Sequence, residues 1–181
     1  CYFCKTHEEQ SCQNFNTAQV LSGQPYPGTG GFSEYMMAVP YSVFPYTNVT
    51  PQEACICEPV SCVIHSVETV NPQFGDACVI IGAGIMGLLH TQLCVKKGCF
   101  VIVVDMNEER LEMAASMGAH YTINPHKEHA EKRIMKITHG RKARAVFDTT
   151  PAASVVEEAC RYVGNMGKLM IYSGIYPNKP V

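Results

Sequence analysis

The residues whose types and spacing point most clearly to a chemical role are three glycines in the run Gly82-Ala83-Gly84-Ile85-Met86-Gly87. This G-x-G-x-x-G spacing follows an apolar run and opens a helical pattern, which is the context in which it binds dinucleotides. The first glycine permits a tight turn, the second lets the backbone approach a pyrophosphate, and the third lets helix and strand pack closely. The helix N-terminus then offers unpaired N–H groups to the phosphates. We therefore expect Gly82, Gly84, Ile85, Met86 and Gly87 to contact a cofactor.

An acid stands where such a cofactor needs one. Asp105 ends the next apolar run, at the roughly 20-residue distance where a carboxylate accepts hydrogen bonds from the adenosine ribose. A carboxylate there repels a 2′-phosphate, and the following residue is Met106 rather than an arginine. The pattern favours NAD over NADP. We expect Met106 against the adenine face and Arg110 at the ribose edge.

The N-terminal segment has the spacing of a metal site. Cys1 and Cys4 form a C-x-x-C, and Cys12 follows eight positions later. Thiolates so spaced can share one tetrahedral Zn²⁺, with His7 or a cysteine before Cys1 as the fourth ligand. The alternative is a reduced or redox-active thiol pair. The other seven cysteines are scattered among apolar neighbours, which predicts packed thiols in a reducing, cytoplasmic compartment.

The elements that must position these residues alternate from residue 77 onward. Short apolar runs predict strands over 77–81, 100–104, 121–123, 143–147 and 169–172, and helical periodicity fills the intervals. This order predicts an α/β fold with a doubly wound parallel sheet. One helix is expected from Pro51 until Asn71-Pro72 stops it. Residues 1–51 are loop-rich with one strand over 33–39, so we predict two domains, 1–51 and 52–181.

Composition excludes several classes of function. The 181 residues carry a formal net charge of -2, with 46% hydrophobic and 17% charged residues. This balance gives no reason to expect a nucleic acid or an anionic membrane as partner. The basic group Arg141, Lys142 and Arg144 is too small for a nucleic-acid footprint. His126 and His129 are best explained as part of a solvated helix face.

Two further motifs complete an ordered set. They are Gly30-Gly31-Phe32-Ser33-Glu34-Tyr35 and Glu58-Pro59-Val60-Ser61-Cys62. Together with the cysteine segment and the glycine turn, their order resembles the zinc-dependent medium-chain dehydrogenases. The similarity is greatest to the polyol (sorbitol, L-iditol) and threonine dehydrogenase branch, and it covers essentially the whole chain.

The resemblance implies a fold and site residues. Residues 1–51 would be the end of a β-rich, GroES-like catalytic domain, followed by a Rossmann domain. Cys1, Cys4 and Cys12 would match three of four structural-zinc ligands, the first preceding this chain. The family usually has Gly where His7 stands, so His7 departs from the pattern, and we favour a position that decorates the turn over one that replaces the missing ligand. Glu58 would face the interdomain cleft as a catalytic residue and zinc ligand or would hold the zinc's water, while Gly174 and Ile175 would line the nicotinamide site.

The implied activity is zinc-dependent hydride transfer between an alcohol or polyol and NAD, by a homo-oligomeric enzyme of which this chain is the central portion. The resemblance places the catalytic-zinc Cys and His before Cys1. Two other functions stay open. One is a zinc-free, NADPH-using quinone reductase, which Asp105 and the cysteine segment disfavour. The other is a non-catalytic NAD-sensing module.

Overall fold

The computed structural model describes residues 1–14, 34–35 and 43–174. The chain divides into two compact units, Cys1–Val49 and Thr50–Val181. In the first unit, helix α1 (Tyr2–Lys5) is followed by a 3-10 turn over Glu9–Ser11. The strand predicted over 33–39 and the motif at 30–35 fall largely outside the described residues. Among the described residues, no helix is both long enough and apolar enough to span a membrane.

The second unit is built on five parallel strands: β1 (Ala77–Ile81), β2 (Phe100–Val104), β3 (Tyr121–Ile123), β4 (Ala143–Asp148) and β5 (Val163–Ile171). Their spatial order is β3-β2-β1-β4-β5. The order reverses between β1 and β4, which pair in register from Cys78↔Ala145 to Ile81↔Asp148. This is the doubly wound Rossmann topology, so the predicted fold class is confirmed. Ligands of such sheets bind at the carboxyl ends of the strands where the order reverses.

Five helices cover the two faces of the sheet. Helices α3 (Cys57–Val70), α4 (Ile85–Lys96) and α5 (Glu108–Ser116) pack on one face, against β-strand side chains such as Ile80 and Phe147. Helices α6 (Ala130–Ile137) and α7 (Ala153–Tyr162) pack on the other face, against Val79 and Val146. Burial on both faces explains why the central strands are continuous apolar runs in the sequence.

The single helix predicted from Pro51 is wrong, because two helices occupy that span. Helix α2 (Pro51–Ala54) is closed by a capping box in which Thr50 and Glu53 bond each other's backbone N–H. The chain restarts as α3 at Cys57, and α3 ends before the left-handed Asn71. Pro59 explains the break, since its ring would clash with the Cys55 carbonyl in one continuous helix. In the first turn of α3 the missing N–H of Pro59 costs nothing.

The boundary between α7 and β5 also differs from the sequence prediction. Val163 was expected on the helix, but it pairs with Ala143 as the first residue of β5, and the pairing then skips to Ala145↔Lys168. Two glycines permit this bulge. A Cβ on Gly164 would lie 2.2 Å from the Arg141 carbonyl oxygen, and a Cβ on Gly167 would lie 2.7 Å from that of Ala143.

The prediction that seven cysteines are packed thiols is correct for three of them. Cys78, Cys94 and Cys99 are buried together between β1, α4 and β2. The hydrogen bond with Cys94 and then burial raise the pKa of the Cys78 thiol, and burial raises the pKa of Cys99. The other four are exposed in this structure: Cys55, Cys57, Cys62 and Cys160. Local apolar neighbours do not reveal which face of a helix a thiol occupies, and this is why the sequence pattern misplaced them.

Candidate cofactor and metal sites

The turn after β1 has a conformation that favours glycine. Gly82 has φ +91, a left-handed conformation that costs a residue with a Cβ about 1–2 kcal/mol. Its N–H donates to the Val104 carbonyl at 2.8 Å, which ties the turn to β2. A Cβ at Gly82 would lie 2.7 Å from Thr149 Oγ1 and 3.1 Å from Thr150 Cγ2. The residues that follow β4 therefore press directly against this turn.

The other two glycines have opposite surroundings. A Cβ on Gly87 would lie 1.8 Å from the Gly82 carbonyl oxygen, so Gly87 lets α4 sit against the turn. A Cβ on Gly84 would meet no atom within 4 Å, because Gly84 faces open space at the N-terminus of α4. Gly84 offers no side chain to cap the helix, and Ile85 beside it is exposed. The first-turn N–H groups of α4 are thus left for an external acceptor.

Asp105 lies directly beside the glycine turn. Its Oδ2 accepts a hydrogen bond from the Ala83 N–H at 2.6 Å, and its Oδ1 accepts one from the Asn107 N–H at 2.8 Å. Met106 is 64% exposed and Arg110 is exposed at the start of α5. Only Asp105 is thus placed against the glycine turn by a hydrogen bond, and the roles of Met106 and Arg110 stay predictions. No described contact ties the side chain of Met106 or Arg110 to that turn.

The opposite wall of the crevice is the segment after β4. The Thr149 hydroxyl donates to the Ile81 carbonyl at 2.8 Å, and the Thr149 N–H donates to the same oxygen at 3.0 Å. Asp148, the last residue of β4, is fully buried and accepts two hydrogen bonds from Thr150. No sequence motif marks Asp148; the available signal was an acid directly after the apolar run Ala145-Val146-Phe147.

A buried histidine links α4 to the chain after β5. His90 Nδ1 lies 2.8 Å from the Met86 carbonyl oxygen and its Nε2 lies 2.9 Å from Ser66 Oγ. Because the carbonyl can only accept, Nδ1 carries the proton and Nε2 accepts from the serine hydroxyl. Burial lowers the pKa of His90. Tyr172 packs edge-on to the ring and contacts Met86 Sδ at 3.6 Å.

Of the two residues predicted to line the nicotinamide site, the structure describes Gly174. Gly174 is exposed two residues after Tyr172, and a Cβ there would meet no atom within 4 Å. Ile175 lies outside the described residues. The assignment of either residue to a nicotinamide site stays a prediction.

Glu58 is exposed in this structure. It lies in the first turn of α3, where its Oε1 accepts a hydrogen bond from the Cys62 thiol at 3.3 Å. This bond is the first cause that raises the pKa of Cys62. Burial is the main cause that raises the pKa of the Tyr172 hydroxyl, and the nearby Cys62 and Glu58 raise it further. The three groups therefore lie near one another. The catalytic and zinc-ligand roles of Glu58 stay predictions.

The first unit brings three thiols together. Cys1 Sγ lies 3.7 Å from Cys4 Sγ and 4.0 Å from Cys12 Sγ, and all three sulfurs lie within 4.8 Å of one another. Sulfurs bound to one tetrahedral Zn²⁺ at about 2.3 Å lie about 3.8 Å apart. The Asn14 N–H donates to Cys12 Sγ at 3.4 Å, and this bond is the main reason that the pKa of Cys12 is lowered. The three-thiol donor set therefore fits zinc.

His7 does not join this group. Its side chain is 93% exposed, and Nδ1 lies 3.8 Å from Glu9 Oε1. Among the described residues, the one group of three or more His, Cys, Asp or Glu side chains close enough to hold a metal ion is that of Cys1, Cys4 and Cys12. His7 therefore contributes no ligand in this conformation, which agrees with a decorative position on the turn.

A wide cavity lies at the opposite end of the strands, where the strands begin. It measures about 1290 Å³ and is lined by the starts of strands and by the loop before β4, including Asp76, His120, Arg141 and Arg144. Its lining includes none of the glycine-turn residues. This cavity lies at the amino ends of the strands, whereas dinucleotides bind such sheets at the carboxyl ends.

Comparison with known proteins identifies the family. Residues 86–181 match the zinc-binding dehydrogenase family, and this chain belongs to it. It is 30% identical over 182 residues to D-arabinitol dehydrogenase 1 of Uromyces fabae, covering 98% of this chain and 50% of the relative. It is 31% identical over 183 residues to L-threonine 3-dehydrogenase of Pyrococcus furiosus, covering 99% of this chain and 50% of the relative.

A solved structure extends the similarity to the fold. The crystal structure of an Escherichia coli oxidoreductase/dehydrogenase of unknown specificity is 26% identical, with a TM-score of 0.77. The match covers 100% of this chain and 52% of that structure. The chain spans about half the length of the curated relatives that it matches.

Proposed function

We propose that this chain carries the NAD-binding half and a structural-zinc segment of an alcohol or polyol dehydrogenase. The observation that carries the proposal is the open space at Gly84. A backbone held without a Cβ at a helix N-terminus, where the strand order reverses, leaves room for a pyrophosphate. Asp105 beside the turn supports NAD over NADP, since its carboxylate would repel a 2′-phosphate.

Each part of the crevice has a task in this proposal. Gly84 and the first-turn N–H groups of α4 would hold the pyrophosphate. Asp105 would accept hydrogen bonds from the ribose hydroxyls, in place of the one that it accepts here from the Ala83 N–H. Gly82 and Gly87 would keep the turn close to α4. Bound NAD would accept a hydride from the alcohol carbon, and a catalytic zinc would supply a Lewis acid for the alcohol oxygen. Gly174 and Ile175 would border the nicotinamide.

The remaining parts of the proposal concern the whole protein. Cys1, Cys4 and Cys12 would hold a structural zinc that braces the first unit. Glu58 would reach the catalytic zinc or its water, and its carboxylate is exposed and accepts a hydrogen bond from the Cys62 thiol. We extend the proposal to a homo-oligomeric, cytoplasmic enzyme that acts on a small alcohol.

The test is a set of three measurements on the 181-residue chain: zinc content, NADH affinity and alcohol oxidation. We expect about one zinc per chain, weak but saturable NADH binding and no turnover. Efficient oxidation of alcohols by this chain alone would contradict the assignment of the catalytic-zinc ligands to other segments. A preference for NADPH with no bound zinc would instead support the quinone-reductase alternative.

A further inference from the structure

Asp148 is a buried acid that neither hydride transfer nor zinc binding uses. It ends β4 directly opposite Ile81, the residue before the glycine turn. Its side chain has no exposed surface. One oxygen, Oδ1, accepts hydrogen bonds from the Thr150 N–H at 2.9 Å and the Thr150 hydroxyl at 2.7 Å. The other oxygen, Oδ2, is buried and has no hydrogen-bond partner among the described residues.

Asp148 is connected to the glycine turn through Thr150 and Thr149. The carboxylate fixes Thr150, and the Thr150 methyl lies 3.1 Å from the point where a Gly82 Cβ would stand. Thr149, held between them in the chain, donates its hydroxyl to the Ile81 carbonyl at 2.8 Å. The β4 wall, which we define as residues 149 and 150, is thus clamped between Asp148 and the glycine turn.

The unpaired oxygen argues against a role in stability alone. A buried carboxylate with an unsatisfied oxygen destabilises a fold relative to a neutral group that makes the same bonds. Burial is also the main cause that raises the pKa of Asp148, while the two Thr150 bonds oppose it. What the fold gains from Asp148 is therefore the double acceptor at Oδ1, and its effect is to order Thr150.

We propose that Asp148 is a positioning residue for the dinucleotide, which holds the β4 wall against the glycine turn and so sets the affinity for the cofactor without touching it. This inference rests on the proposed function. An asparagine would keep the Oδ1 acceptor and would remove the charge, so the proposal predicts that Asp148→Asn preserves the wall. An alanine would release it.

The experiment measures two quantities on the full chain: amide hydrogen exchange at Gly82, Thr149 and Thr150 without ligand, and the Kd for NADH. For Asp148→Ala we expect exchange at least about tenfold faster at these amides and a Kd raised about tenfold, the effect of losing the two hydrogen bonds that Oδ1 accepts from Thr150. Asp148→Asn should restore both values. Asp76→Ala is the matched control, since Asp76 Oδ2 accepts the Gln73 N–H at 2.8 Å far from the crevice.

If Asp148→Ala does not fold, Thr150→Val replaces it, because it deletes one of the two bonds and keeps the shape. It should raise the Kd about threefold. The proposal is overturned if Asp148→Ala lowers the unfolding temperature while exchange at the turn or the Kd stays unchanged, or if Asp148→Asn fails to rescue. A wild-type chain that binds no NADH would refute the proposed function, and the exchange rates would still decide whether Asp148 holds the wall.

Discussion

Replacing Gly84 with alanine should separate cofactor binding from folding. Gly84 has φ -74, which alanine adopts without strain, and its Cβ would meet no atom within 4 Å. At an N-cap, alanine is less favourable than glycine by about 1 kcal/mol. Alanine also lowers the conformational entropy of the unfolded chain, which stabilises the folded state by about 0.4–1 kcal/mol. The free energy of unfolding should therefore change by less than about 1 kcal/mol.

The effect of the same methyl on binding should be large. It would stand where the backbone must approach the pyrophosphate, so at least one hydrogen bond from the helix N-terminus to a charged phosphate would be lost. Such a bond contributes about 1.5–3 kcal/mol, which predicts a Kd for NADH raised about tenfold to a hundredfold. Chemical denaturation and a fluorescence titration with NADH measure the two quantities on the same preparation.

Gly87→Ala is the matched comparison, because it adds the same methyl three residues away. Its Cβ would lie 1.8 Å from the Gly82 carbonyl oxygen, a contact that no side-chain rotation relieves. We expect this variant to lose about 3 kcal/mol or more of unfolding free energy. The reasoning is refuted if Gly84→Ala binds NADH as tightly as the wild type, or if it destabilises the chain as much as Gly87→Ala does.

Three more predictions concern specificity, metal and pH. Asp105→Ser combined with Met106→Arg should shift the ratio of the NADH and NADPH dissociation constants toward NADPH, and an unchanged ratio would mean that Asp105 does not contact the ribose. Cys4→Ser should abolish most of the zinc bound per chain in elemental analysis, whereas Cys55→Ser should leave it unchanged; equal zinc in both would contradict the thiol site. Burial lowers the pKa of His90, so the unfolded chain binds a proton at this residue more readily than the folded chain does. The contribution of neutral His90 to the free energy of unfolding is therefore complete above pH about 6.5 and is lost as the pH falls below that value. Denaturation at pH 7 and pH 5 should show this loss, and His90→Gln should reduce it; an equal loss in the variant would assign it to other groups.

Much of the Rossmann unit is predictable because its signals are local. Strands β1 and β2 are buried on both faces and are therefore continuous apolar runs, and the glycine spacing marks the turn between β1 and α4. The break before α3 was also within reach of the sequence, since Pro59 cannot follow four residues of continuous helix without a clash.

The parts that escaped prediction depend on contacts between distant segments. Asp148 becomes part of the crevice only through the register of β4 against β1, which places it opposite Ile81. The Oδ1 bonds to Thr150 are local, but only that placement brings Thr150 against Gly82. The exposure of Cys62 depends likewise on which side of α3 packs against α4, and its apolar sequence neighbours do not specify this.

The most direct test of the proposed cofactor site is an NMR titration of the isotopically labelled chain with NADH. The account predicts saturable chemical-shift changes at the amides of residues 82–88, Asp105 and 149–150, with smaller changes for NADPH at equal concentration. Changes confined to the cavity around Asp76, His120 and Arg141, at the amino ends of the strands, would contradict it.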